Sequence, residues 1–458
     1  MIEQEKIALA QQLATWFVQG DFEAVVQSLD ESLRQQLSSE KLQSTSQGLV
    51  AQVGKFKEQV GAHTFQISSA ELVIVTCAFA NASLDINVAF NEQDKIVGLT
   101  ITQVGGVEQQ YTTVYDPPPY ANQDAFTERE VQVGQGEWVL PGTLSIPVGD
   151  GPFAAIVLVH GSGPQDRDET IGPNKPFRDL AWGLASQGVA VLRYDKRTKV
   201  YPKQMLNLLG TLTVKEEVID DALAAVTLLR SIPEVDPQRI VVLGHSLGGY
   251  ILPRIGAADS GIAGLIALAG LCRTFEDTIL DQFTYIYSLS GTLSAEQQQQ
   301  LDQLKKQVAL VKSPDLSLST PASDLPLGVY PAYWLDLRGY HPEEVARELP
   351  QPMLILQAEG DYQVTMEDYQ IWKSALGGRS NVQFKSYPGL SHLFMPFKGG
   401  EKATPDLYVN GNNRPLRKYL RFIISKLIIA QISLKMRGNV WRNHGYHFVG
   451  MIFDTFLK

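Results

Sequence analysis

The chain has 458 residues, 44% of them hydrophobic, with 39 basic against 49 acidic side chains and only two cysteines. That length exceeds one ordinary domain, and the apolar fraction is enough to build real cores, which excludes a wholly disordered chain. A formal charge of −10 argues against a general nucleic-acid binder, and two cysteines cannot form a disulfide framework or a four-sulfur zinc site. Cys77 and Cys272 both lie in or beside apolar runs, so each reads as a core thiol.

Residues 1–60 read as helices: Ile7, Ala10, Leu13, Ala14 and Phe17 recur at helical spacing, and Phe22, Val25, Val26 and Leu29 repeat it. The period then changes, and residues 64–68, 71–80, 83–90 and 95–103 read as short strands. Helices followed by a strand meander describe a small α+β domain over residues 1–112. The run Asp116-Pro-Pro-Pro-Tyr120 marks residues 113–125 as a stiff linker. Beyond it, apolar runs at 154–159, 189–194, 239–243, 261–269, 353–357 and 382–387 alternate with helical segments at 177–187, 216–229 and 367–376. Such alternation implies a parallel sheet buried on both faces. About 75 residues, 272–348, interrupt the alternation with a helical stretch near 295–311, and an insertion that long reads as a lid or substrate-binding element. No uncharged apolar stretch reaches the roughly 18 residues of a membrane span, and no signal segment opens the chain. The chain therefore reads as cytoplasmic, or as exported if its native form carries an upstream signal.

Gly244-His-Ser-Leu-Gly248 matches G-x-S-x-G, a pattern that gains meaning from its setting. A strand runs into it and a helix opens after it, which is what a nucleophile elbow requires, and flanking glycines leave room for a sharp turn. Ser246 is then the nucleophile. A serine hydroxyl needs a base, and of the seven histidines His392, in the loop after the last strand, is placed for the work. Asp361, following residues 353–357, is the acid that would orient it, with Glu359 as the fallback. Backbone N–H groups of Leu247 and of Ser162, in His160-Gly-Ser-Gly163, would stabilise an oxyanion. Two dense charge clusters, 166–168 and 193–197, read as an ion-pair network more than as a substrate subsite.

With these segments in hand, residues 126–400 resemble an α/β-hydrolase of the serine esterase group, which includes prolyl-oligopeptidase-like and dienelactone-hydrolase-like enzymes. The segments that carry the likeness are His160-Gly-Ser-Gly-Pro-Gln-Asp-Arg-Asp168, Arg193-Tyr-Asp-Lys-Arg197, Gly244-His-Ser-Leu-Gly-Gly249, Glu359-Gly-Asp-Tyr-Gln-Val364 and Pro388-Gly-Leu-Ser-His-Leu-Phe394. Residues 1–112 resemble the cone-shaped nuclear-transport-factor-like domain. The resemblance implies a doubly wound, mainly parallel sheet with a helical lid, a Ser246–Asp361–His392 triad, no metal and no organic cofactor. It places the catalytic domain at 126–425 and implies carboxylic-ester hydrolysis of small molecules through an acyl-enzyme. A peptidase, amidase or acyltransferase using the same triad is the alternative, as is small-ligand binding by the N-terminal domain. Tyr333 and Trp334 of the insertion are candidates to line an acyl pocket, with lid packing as the competing role. The charge divides unevenly, −18 through residue 413 and +8 after it. Residues 415–434 read as an ordinary closing helix; for the basic tail, 426–458, weak contact with an acidic membrane surface or a partner, and a tail foreign to the family, are the competing readings.

Overall fold

The computed structural model describes residues 2–35, 37–67, 70–105, 115, 117–289, 291–397 and 402–408. The closing helix expected over 415–434, the basic tail expected over 426–458, and part of the linker expected over 113–125, lie outside the described residues.

The N-terminal unit opens with helices at Glu3–Gln19, Phe22–Ser28, Glu31–Arg34 and Ser39–Val53. Sequence-local chemistry sets their ends. Gly20 closes the first in the left-handed region at φ 86°, and Asp21, Asp30 and Ser38 each accept a backbone N–H at the start of the next. Four antiparallel strands follow in the order β1 (Phe56–Ile67), β2 (Ala70–Phe79), β3 (Ser83–Phe90) and β4 (Ile96–Gln103). Ala10, Leu13, Ala14 and Phe17 form one helical stripe, packed on Val73, Val75 and Cys77 of β2 and Ile86, Val88 and Phe90 of β3. The helical reading of residues 56–60 was wrong. β1 begins at Phe56, but its register shifts between Phe56 and Glu58 and again between Gln59 and Gly61, so the period of two is broken where it would have been read.

The second unit is an eight-stranded sheet. Its strands are β5 (Phe126–Val133), β6 (Leu140–Pro147), β7 (Phe153–Val159), β8 (Val189–Tyr194), β9 (Val235–His245), β10 (Gly264–Leu268), β11 (Met353–Ala358) and β12 (Val382–Tyr387). They lie in the order β12-β11-β10-β9-β7-β8-β6-β5, parallel from β12 to β8 and antiparallel at β6 and β5. The apolar runs are continuous because both faces are covered. On β7, Ala155, Val157 and Val159 join the core beneath helices Asp220–Arg230, Leu247–Ala258 and Met366–Leu376. Ile156 and Leu158 face the opposite core with Phe177, Leu180 and Leu184 of helix Pro176–Ala185.

The insertion between β10 and β11 folds as helices Phe275–Ser288, Ala295–Lys312, Pro331–Leu337 and Pro342–Arg347. It has its own core of Ile279, Leu304, Val308, Val311, Leu316, Leu325 and Trp334. Both cysteines are free and buried, as core thiols should be. Among the described residues no helix is long and apolar enough to cross a membrane.

Candidate active site

Four loops at the carboxyl ends of β7, β9, β11 and β12 supply the candidate residues, which is where an open α/β sheet forms its crevice. Ser246 joins β9 to the helix that begins at Leu247, with φ 53° and ψ −115°. A positive φ is strained for a serine, and the surroundings must hold it there. Ser246 N–H is donated to Leu268 O at 3.0 Å, and Ser246 O accepts from Tyr250 N at 2.9 Å. The flanking glycines are steric necessities. A Cβ on Gly248 would stand 2.5 Å from Val159 O and 2.7 Å from His160 O, and one on Gly244 would strike the backbone of Gly248. Gly248→Ala is therefore expected to destabilise this unit by about 2–4 kcal/mol through backbone displacement. A thermal midpoint equal to that of the parent chain would contradict this.

His392 stands in the loop after β12, with Nδ1 2.6 Å from Asp361 Oδ2. Asp361 is buried, and its other oxygen accepts the backbone N–H groups of Gln363 at 2.8 Å and Val364 at 3.1 Å. The carboxylate is thus aimed by its own loop, leaving one oxygen for the imidazole. Glu359 is exposed and accepts from Ser386 Oγ at 2.7 Å, so it is not the partner of His392. His392 lies beside the elbow, its ring centroid 4.7 Å from that of His245, the residue preceding Ser246. Ser246 Oγ itself makes no side-chain hydrogen bond among the described residues.

The loop after β7 approaches from the other side, since a Cβ on Gly161 would lie 3.2 Å from Ser246 Cβ. Neither Leu247 N–H nor Ser162 N–H meets an acceptor among the described residues. The direction of the second is fixed indirectly. Lys196 Nζ donates to Gly161 O at 2.9 Å, and in a trans peptide that carbonyl and the following N–H point opposite ways. Lys196 is in turn held by Glu217 Oε1 at 2.5 Å, and Glu217 Oε2 accepts from Tyr333 OH at 2.8 Å. Glu217 sits on a π-helical turn, Lys215–Ile219, a local irregularity frequent near functional sites.

The remaining candidates divide clearly. Tyr333 is buried and committed to Glu217, while Trp334 is fully buried in the insertion core and donates Nε1–H to Val329 O at 3.2 Å. The expectation that Trp334 lines an acyl pocket is corrected on this ground, because it has no exposed surface to offer. Tyr333 likewise has its hydroxyl occupied, and lid packing describes both residues. His160 is buried with Nε2 3.0 Å from Asp166 O, and burial pushes its pKa down to about 4. His341 is exposed in the insertion. The charged segments form a network. Arg193 joins Asp168 and Glu128 and Arg167 joins Asp195 and Glu130, pinning β5 and β8 to the loop after β7, while Arg197 joins Asp221 of helix Asp220–Arg230. Glu169, at the end of that segment, was not singled out from sequence. It accepts Gly161 N–H at 2.8 Å and lies 3.0 Å from His245 Nδ1.

A strained serine between β9 and its helix, with a carboxylate–imidazole pair in the loops after β11 and β12, is the arrangement expected of a hydrolase site built on an α/β sheet. The model of the alpha/beta hydrolase family matches residues 156–403, and the chain belongs to that family. A second model, described as a protein of unknown function (DUF3887), matches residues 10–99. Esterase EstD of Thermotoga maritima is 36% identical over 410 residues, covering 89% of this chain and 91% of the esterase. The quorum-quenching protein AidA of Acinetobacter baumannii is 24% identical over 227 residues, 45% of this chain and 69% of that protein. Among solved structures, Est1E from Butyrivibrio proteoclasticus superposes with a TM-score of 0.40 at 15% identity, covering 68% of this chain and 99% of that one.

Proposed function

We propose that the chain is a carboxylic-ester hydrolase working through an acyl-enzyme on Ser246. The reading is carried by one observation: His392 Nδ1 lies 2.6 Å from a buried carboxylate, in a loop that packs against the residue preceding a strained serine. His392 Nε2 takes the Ser246 proton as Oγ attacks the ester carbonyl, and Asp361 stabilises the imidazolium that forms. The N–H groups of Leu247 and Ser162 receive the oxyanion, aided by the positive end of the helix that begins at Leu247. His392 then returns the proton to the leaving alcohol. A water molecule, deprotonated by the same nitrogen, releases the acid and regenerates the serine. Likeness to an esterase along 89% of the chain favours esters over amides.

Short-chain p-nitrophenyl esters and a fluorophosphonate label test this together. Turnover of acetate and butyrate esters, with the label recovered on the peptide containing Ser246, is the expected result. Label on another residue, or aminoacyl-amides cleaved faster than the matching esters, would overturn it.

A further inference from the structure

Among the described residues, four of the six non-glycine residues with positive φ lie at or around the site: Glu169 at 52°, Ser246 at 53°, Ala269 at 47° and Phe394 at 56°. Strain at the serine belongs to the elbow, but strain at a glutamate calls for a separate reason. Glu169 is buried, and Oε1 takes both contacts already described, from Gly161 N–H and from His245. Nε2 of His245 lies 3.1 Å from the main-chain oxygen of His392. A carbonyl oxygen can only accept, so Nε2 carries a proton. With Glu169 ionised its oxygens only accept, so Nδ1 carries one as well. The geometry is that of an imidazolium with both protons in use.

We propose that Glu169 and His245 are positioning residues, a buried carboxylate–imidazolium clamp that fastens the oxyanion loop, the nucleophile elbow and the His392 loop to one another. The inference rests on the Ser246–Asp361–His392 reading above. One carboxylate oxygen fixes the peptide before Gly161, while Lys196 fixes the one after it. His245 spans the 147 residues to His392 with a single hydrogen bond and holds that loop beside Ser246. The pair thus supplies a continuous run of hydrogen bonds through all three loops, which its removal would break.

The electrostatics agree. Burial opposes a charge on His245, but Glu169 and the His392 carbonyl outweigh it and hold the imidazole pKa above its ordinary value. Burial likewise opposes the charge on Glu169, and His245 keeps its carboxyl below the usual range. Other charged or titratable groups facing the pair are His160, held neutral by burial; Lys196, occupied by Glu217; and Asp361, on the far side of His392.

The test uses the full chain with Glu169→Gln, His245→Gln and the double variant, assayed on p-nitrophenyl butyrate. A kcat lower by about 10- to 100-fold with KM little changed is expected, because misplaced donors act on the transition state. The double variant should be no worse than the worse single one, since the pair acts as a unit. A merely structural defect would lower the fraction of enzyme that takes the fluorophosphonate label and leave kcat per labelled site unchanged.

Nitrogen-15 spectra of histidine-labelled wild type give a readout independent of how the variants fold. One ring, missing in His245→Gln or traced by elimination, should keep both nitrogens protonated above the ordinary imidazole range. Unchanged kcat in a folded Glu169→Gln, or a His245 ring with a single proton at pH 7, would refute the clamp. Ser246→Ala separates the two readings. If it is inactive while Glu169→Gln matches wild type, the clamp alone fails; if it retains turnover, the triad reading fails first.

Discussion

Ser246→Ala should lower kcat for p-nitrophenyl esters by about 10⁵- to 10⁶-fold and abolish fluorophosphonate labelling. The substitution removes one oxygen and keeps the Cβ, so the elbow retains the shape imposed by Gly244, Gly248 and the bond from Ser246 N to Leu268 O. The oxyanion donors are main-chain groups and survive it. What remains is binding and oxyanion stabilisation without a nucleophile, so a small residual rate over water is expected. A thermal midpoint near the parent value, measured alongside, would assign the loss to chemistry. Activity above about 1% of the parent would be incompatible with an acyl-enzyme on this residue.

Asp361→Asn should cost about 10⁴-fold in kcat near neutral pH while leaving the fold intact. The reason lies in how the carboxylate is held. Oδ1 accepts two backbone N–H groups, from Gln363 and Val364, so an amide at this position turns its oxygen toward them and its NH2 toward His392. Nδ1 of His392 must then accept, and the single imidazole proton moves to Nε2, the nitrogen that has to take the proton of Ser246. The base is present but in the wrong tautomer. Nitrogen-15 spectra of the variant should show His392 protonated at Nε2 at pH 7.5. Protonation at Nδ1 with wild-type turnover would remove Asp361 from the mechanism.

Much of the hydrolase unit was legible in the sequence because its central strands are buried on both faces. Runs such as Ala155–Val159 and Val189–Leu192 have no polar face to disguise them. β5 and β6 escaped notice for the opposite reason. Phe126-Thr-Glu-Arg-Glu-Val-Gln-Val133 lies at the sheet edge, with Glu128 and Glu130 spent on ion pairs, and Leu140–Pro147 is interrupted by proline and glycine. Ser246, Asp361 and His392 could be picked out as candidates because each follows a recognisable strand in a fixed order. Glu169 could not. Its partner His245 is 76 residues away, and nothing local distinguishes it from the other acids of that loop. Tyr333 and Trp334 illustrate a further limit, since aromatic residues in an insertion look the same whether they meet a substrate or each other.

A fold that varies its loops while keeping its chemistry invites treating the insertion as an interchangeable cassette. The contact from Tyr333 to Glu217 makes this one less detachable. An exchange that leaves out Tyr333 strands one oxygen of a buried carboxylate whose other oxygen holds Lys196, and an unmet buried acceptor costs about 1–3 kcal/mol. Chimaeras of this enzyme should therefore inherit Tyr333 and Glu217 together, or replace both, making the heritable unit larger than the segment a sequence alignment would cut.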